Sequence, residues 1–145
     1  MEAYRLGYVK VLKKVIIDSN ILIQSVKYGI SIKEAIEEAL TMHCKIYVPE
    51  AVIKELNRKA KHGKFLEKKL AEKALSIIRE QGINVLKHEN LEHVKTDDII
   101  LSLTSRERGI LITNDRELRR KARRLNVPVG FLNIEEKRII IEYFP

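Results

Sequence analysis

"VIIDSNILI" (Val15–Ile23) sets β-branched aliphatics against an aspartate, a serine and an asparagine, then returns at once to aliphatics. A short unbroken apolar run such as Val15–Ile17 suits a strand buried on both faces. Ile21, Leu22 and Val26 form the apolar side of a helix that follows. Asp18 then stands at the carboxyl end of the strand, the end at which open parallel sheets bind ligands. The plainer alternative is that Ser19 or Asn20 caps the helix and Asp18 is a loop acid.

Working outward, strand-like and helix-like segments alternate. The strand patterns are Val15–Asp18, Lys45–Val48, Ile83–Leu86, Ile110–Thr113 and Val127–Leu132. Helices are expected at Ser19–Val26, Ser31–Thr41, Pro49–Lys61, Lys64–Gln81, Asp97–Arg108 and Asp115–Leu125. Ser31 with Glu34 reads as a capping box, Pro49 suits a first helical turn, and Gly82 and Gly109 fall where helices should stop. This alternation predicts an α/β fold: one three-layer domain over residues 1–145, with a central, mostly parallel five-stranded sheet flanked by helices. Residues 1–13 and the C-terminal "RIIIEYF" stay open between edge strands and an arm on a neighbouring copy.

The chain has 145 residues, enough for a real core. No apolar run is long enough to cross a bilayer, and no basic segment followed by an apolar stretch and a cleavage site marks a signal peptide. The single cysteine, Cys44, cannot form an internal disulfide and fits a reducing, cytoplasmic setting. Rich Lys, Glu and Ile with few Met and Cys fits a thermophile. The net charge of +8 favours a polyanionic partner, nucleic acid before a membrane surface.

Five acids stand out by place. Asp18 ends the first strand; Glu55 lies in the helix after the second; Asp97 and Asp98 open a helix behind the expected cap Thr96; Asp115 follows the fourth strand. Singly, Asp97, Asp98 and Asp115 could be first-turn acids stabilised by the helix dipole. Asn114 with Glu117 could make a capping box, and Glu55 could pair with Lys59 on a solvated face. Together the acids compete better as a metal site. Two carboxylates about 5 Å apart repel by roughly 3 kcal/mol at an effective dielectric near 20, so a cluster opposes folding unless a cation offsets it. Oxygen ligands point to Mg²⁺ or Mn²⁺, while neither Cys44 nor the four histidines shows zinc-ligand spacing. An aspartyl phosphatase of the haloacid-dehalogenase type needs a second Asp two residues after the first, and position 20 is Asn.

With these motifs in order, the chain resembles the PIN-domain (PilT N-terminus) nucleases. "VIIDSNILI" is similar to the family's opening strand and Asp-[Ser/Thr]-Asn turn, and "VIKELNR" to its second motif. "DDIILSL" resembles the third and "ILITNDREL" the fourth, eighteen residues separating Asp97 from Asp115. The match runs from about Val15 to Leu132. The resemblance is nearest the archaeal and eukaryotic ribosomal-RNA-processing branch, with VapC-type toxins as the close relative. It implies a metal-dependent endoribonuclease in which Asp18, Glu55, Asp97 and Asp115 hold one or two Mg²⁺ or Mn²⁺ ions, with Asp98 an auxiliary ligand. Ser19, Asn20 and Thr113 would support the ligands or a substrate phosphate. The bound ion acidifies water and offsets phosphate charge, and products should carry 5′-phosphate and 3′-hydroxyl ends.

Two basic runs flank the motifs. "RELRRKARR" supplies Arg116, Arg119, Arg120, Lys121, Arg123 and Arg124; "NRKAKHGK" supplies Arg58, Lys59, Lys61 and Lys64. Each could be a solvated helix face, but beside the acids they suit RNA phosphates. Sparse aromatics argue against strong base stacking. The expected partner is RNA in single strands or loops. The family implies a homodimer, and an antitoxin or ribosome-assembly protein is a further candidate partner. The competing readings are a VapC-type toxin ribonuclease and a non-catalytic RNA-binding or ribosome-assembly module.

Overall fold

The structure is a computed structural model and describes residues 12–89 and 92–145. The reading of the first residues as a strand or arm lies outside these, apart from the residues that open the first strand.

The elements are β1 (Lys13–Ile17), α1 (Ser19–Lys27), α2 (Ile32–Leu40), β2 (Cys44–Pro49), α3 (Glu50–His62), α4 (Phe65–Glu80), β3 (Asn84–Leu86), α5 (Thr96–Arg106), β4 (Ile110–Ile112), α6 (Arg116–Arg124), β5 (Val129–Asn133) and β6 (Arg138–Tyr143). They form a single α/β domain around a six-stranded sheet in the order β3-β2-β1-β4-β5-β6. The first five strands run parallel, and β6 pairs antiparallel with β5. The expected five-stranded sheet is therefore corrected to six. "RIIIEYF" supplies the edge strand, because the short turn after β5 brings the chain straight back, which only an antiparallel pairing permits.

Val15, Ile16 and Ile17 in β1 and Ile110, Leu111 and Ile112 in β4 are all fully buried. Successive strand residues face opposite sides, so helices cover both faces of the sheet centre. α5 packs against β1 and β4, while α3 lies along α4 and touches α1. No helix among the described residues is long and apolar enough to cross a membrane.

Helix ends follow local chemistry, with some reassignments. Ser31 caps α2 by accepting from the Glu34 N–H. Asp18 itself caps α1, accepting from the Ile21 N–H at 3.0 Å, in place of Ser19 or Asn20. Asp115 caps α6 through the N–H groups of Glu117 and Leu118, so the Asn114–Glu117 box does not form. The cap of α5 is Lys95, without a side-chain bond, and Thr96 is already helical.

The end of α5 separates two roles that the sequence merges. Gly109 was the expected helix stop, yet the left-handed residue is Arg108, with φ 53°. The Gly109 N–H bonds to Thr104 O and the Arg108 N–H to Ser105 O, closing the helix. Gly109 is needed for another reason: a Cβ there would meet Ile16 Cδ1 at 2.7 Å and Lys14 O at 3.0 Å. Gly109→Ala is therefore expected to cost roughly 1–3 kcal/mol by overpacking. Arg108→Gly is expected to gain about 1 kcal/mol by relieving the left-handed side chain. Urea midpoints of the two variants check both signs.

Candidate functional site

The strand order places a topological switch between β1 and β4. From β1 the chain builds β2 and β3 to one side, then returns through α5 to lay β4 on the other. Carboxyl ends of strands at such a switch leave a crevice. Register does the fine placement: Ile17 pairs with Ile112, so the next residues, Asp18 and Thr113, come level on adjacent strands.

A cavity of ≈ 550 Å³ opens at this rim, lined by Asp18, Ser19, Asn20, Glu55, Asp97 and Asp115 among others. Each acid arrives on a different element: Asp18 from the end of β1, Glu55 from α3, Asp97 from the first turn of α5 and Asp115 from the cap of α6. Asp98 is exposed and does not line the cavity. This follows from helix geometry, since neighbouring residues point about 100° apart.

Asp18 is 6 % exposed, and its two oxygens are both held. Oδ1 accepts from Ile21 N–H, and Oδ2 accepts from the Thr113 hydroxyl. Thr113 Oγ1 in turn accepts from the Asp115 N–H at 3.1 Å, so one buried hydroxyl ties two of the acids together. Burial pushes the Asp18 carboxyl up to about 6, against these hydrogen bonds and with help from the charges of Asp97 and Asp115. Asp97 is raised too, by burial first and by Asp115 next, while Lys121 opposes the rise. Both bonds that Asp115 accepts from α6 use Oδ1.

The donor set is chemically suited to a hard divalent cation, since carboxylate oxygens predominate and the two perturbed acids carry charge that burial disfavours. Among the described residues no three His, Cys, Asp or Glu side chains stand close enough to form a ready cage. An open arrangement still fits Mg²⁺, which keeps several waters and takes only one or two carboxylates directly.

The basic residues divide between places. Arg58 lines the acid cavity, whereas Lys59 is 3.5 Å from Glu55 Oε1 in an i,i+4 ion pair. Lys61 and Lys64 are exposed where α3 gives way to α4 and do not line it. Arg116, Arg119, Arg120 and Arg123 line a second cavity.

Sequence reasoning missed Lys54, His88 and Glu92, which line the cavity. His88 accepts from the Ala51 N–H through Nε2 at 3.0 Å, supplying the α3 cap that Pro49 lacks. With Nε2 an acceptor, Nδ1 carries the proton and donates to Glu89 O at 2.9 Å. The clue was available, because His88 follows β3 at the same rim. Asn114 is also structural: its amide reaches Gln24 Oε1 and Leu132 O, and its oxygen accepts from the Leu132 N–H.

A family described as "PIN like domain" matches residues 15–134. The curated protein "Ribonuclease VapC9" of Archaeoglobus fulgidus is 41% identical over 58 residues, a match covering 37% of this chain and 42% of that protein. Among solved structures, "Structure of the PIN domain endonuclease Utp24" superposes with a TM-score of 0.73 at 21% identity, over 89% of this chain and 90% of the other. A domain of a functionally unknown protein from Methanocaldococcus jannaschii gives 0.58 at 22% identity, over 83% and 91%. At these identities the structures speak for the fold alone.

Proposed function

Because the chain belongs to the PIN-like domain family, we propose that it is a metal-dependent endoribonuclease working at the acid-lined rim. One observation carries the reading: Asp18, Glu55, Asp97 and Asp115, from distant parts of the sequence, line a single cavity at the switch point, with Glu92 as a fifth carboxylate. A surface distribution of solvated acids would leave them apart.

In this reading Asp18, Asp97, Asp115 and Glu55 hold one or two Mg²⁺ or Mn²⁺ ions. A bound ion there acidifies water and offsets charge developing on the scissile phosphate. The protein's own part is positional. Thr113 and the Ile21 N–H orient Asp18, and the first turn of α6 holds Asp115 by one oxygen. Ser19 and Asn20 line the same cavity, and in this reading they donate to phosphate oxygens. Lys54 and Arg58, one turn of α3 apart and on either side of Glu55, attract the substrate backbone to the acids. Among the described residues His88 is the one histidine lining the cavity, so no pair serves 2′-hydroxyl chemistry and products carry 5′-phosphate and 3′-hydroxyl ends.

The test is cleavage of single-stranded RNA with Mn²⁺. Asp97→Asn is expected to abolish it while circular dichroism stays that of the wild type; undiminished cleavage removes Asp97 from the site. A homodimer acting in the cytoplasm on ribosomal RNA precursors is the favoured role. The match to Ribonuclease VapC9 supports a second role, a toxin paired with an antitoxin. Growth arrest on expression alone, relieved by a neighbouring small gene, selects it. RNA binding without cleavage at any Mn²⁺ concentration selects the non-catalytic module.

A further inference from the structure

α6 divides its charges between two sides. Lys121 acts on Asp97, whereas Arg116, Arg119, Arg120, Arg123 and Arg124 line a separate cavity of ≈ 560 Å³ closed by Glu142 and Tyr143 of β6. The two cavities share no lining residue. We propose that the arginine cavity is a second binding site, for the phosphate backbone of single-stranded RNA flanking the bond to be cut. This inference rests on RNA being the substrate of the acid site.

The groove has a built floor and a free wall. Arg119 belongs to the floor: its guanidinium lies 4.9 Å from the Phe131 ring centre, donates to Thr113 O at 3.2 Å and comes within 3.5 Å of Glu142. The last contact lacks hydrogen-bond geometry, and Arg119 Nε is left without a hydrogen-bond partner among the described residues. It serves as an ion pair that offsets Glu142, the one acid lining the groove among the described residues. Tyr143 is fixed by its hydroxyl on Asn126 Oδ1 at 2.9 Å.

Arg116, Arg120, Arg123 and Arg124 make the wall, all exposed. Arg120 keeps only a 3.4 Å surface contact with Glu117, and Arg123 lies over the Tyr143 ring. Guanidinium forks match phosphate oxygens in pairs. Residues four apart advance about 6 Å along a helix, so the wall offers successive forks to a stretched strand. Its starting point is decisive: Asp115, the cap of α6, lines the acid cavity, and the arginines lead away from it. A strand with one phosphate at the acids has its flank carried along α6. An acidic protein segment suits the groove less, because among the described residues Tyr143 is its only apolar-bodied lining residue and protein interfaces centre on buried apolar anchors.

The experiment measures binding of a fluorescent 20-nucleotide single-stranded RNA to the full chain in EDTA, which separates binding from cleavage. Salt is varied, and wild type is compared with Arg120→Ala/Arg123→Ala/Arg124→Ala and with the matching lysine variant. Each lost contact should flatten the slope of log K against log salt by about 0.7. The alanine variant is expected to lose about 2 from the slope and at least about tenfold in affinity at low salt, and the lysine variant to keep most of both. Unchanged slope and affinity, or no RNA binding by the wild type, overturns the inference. So does poly-glutamate binding that needs these arginines when RNA binding does not. RNA binding that depends on the arginines, in a protein that never cuts, upholds this site and sinks the nuclease reading.

Discussion

Replacing Asp18 by Asn should give a protein that is more stable than the wild type at neutral pH without metal, yet unable to cut RNA. The Asp18 carboxyl is raised from 3.8 to about 6, chiefly because burial disfavours its charge. For an acid raised on folding, the native state holds the proton more tightly than the unfolded chain. The resulting stability is present in full below 3.8 and is lost as pH rises to about 6. Across that interval the loss is roughly 3 kcal/mol as an order of magnitude. An asparagine never ionises, so it escapes the loss while keeping an oxygen for the Ile21 N–H. The gain from Asp18→Asn should therefore be largest at pH 7 and vanish near pH 4. Millimolar Mn²⁺ should stabilise the wild type, by about 2.7 kcal/mol at a hundredfold excess over the dissociation constant, and leave the variant unmoved. Thermal melts across pH, with EDTA and with Mn²⁺, read all three effects. A variant less stable than the wild type at pH 7 in EDTA would show that burial does not oppose the charge on Asp18.

Thr113→Val tests the link between the acids. Thr113 is fully buried, donates to Asp18 Oδ2 and accepts from the Asp115 N–H. Valine matches its shape but leaves an oxygen and an N–H unpaired inside the protein. Unpaired buried groups cost about 1–3 kcal/mol each, which the melting temperature should register. The larger effect falls on the metal: losing a partner that orients ligands lowers metal affinity about 10–100-fold. Thr113→Ser keeps the hydroxyl and should restore Mn²⁺ affinity even where it opens a small methyl-sized gap. Titration of Mn²⁺ by calorimetry separates this positioning role from packing, because a packing defect alone would be worse in the serine variant than in the valine one.

The element pattern was readable because each element carries its own period and punctuation. β1 and β4 announce themselves as unbroken aliphatic runs, and α2, α4 and α6 by spaced apolar positions between polar ends. Helix caps were less readable. Asp18 and Asp115 act as caps as well as lining the cavity, and a cap reading and a site reading compete for the same residues. Thr96 and Gly109 show the same ambiguity: each residue type suits a helix boundary, but the cap is Lys95 and the left-handed stop is Arg108. β6 was undecided because an edge strand differs from a docking arm only in what it pairs with, and "RIIIEYF" alone does not say what that is.

The residues that carry chemistry, and the order in which strands and helices bear them, came from local sequence alone. Aliphatic runs, caps and acids act over a few neighbours and leave their mark there. Which acids meet was decided by the tertiary structure. Asp97 lines the cavity and Asp98 does not, although they are adjacent, because helix rotation points them apart. His88, Lys54 and Glu92 join the rim, and the α6 arginines turn away to β6, through strand order and packing that no single stretch encodes. Proximity between residues far apart in the chain is a property of register and layering, and only the folded sheet supplies it.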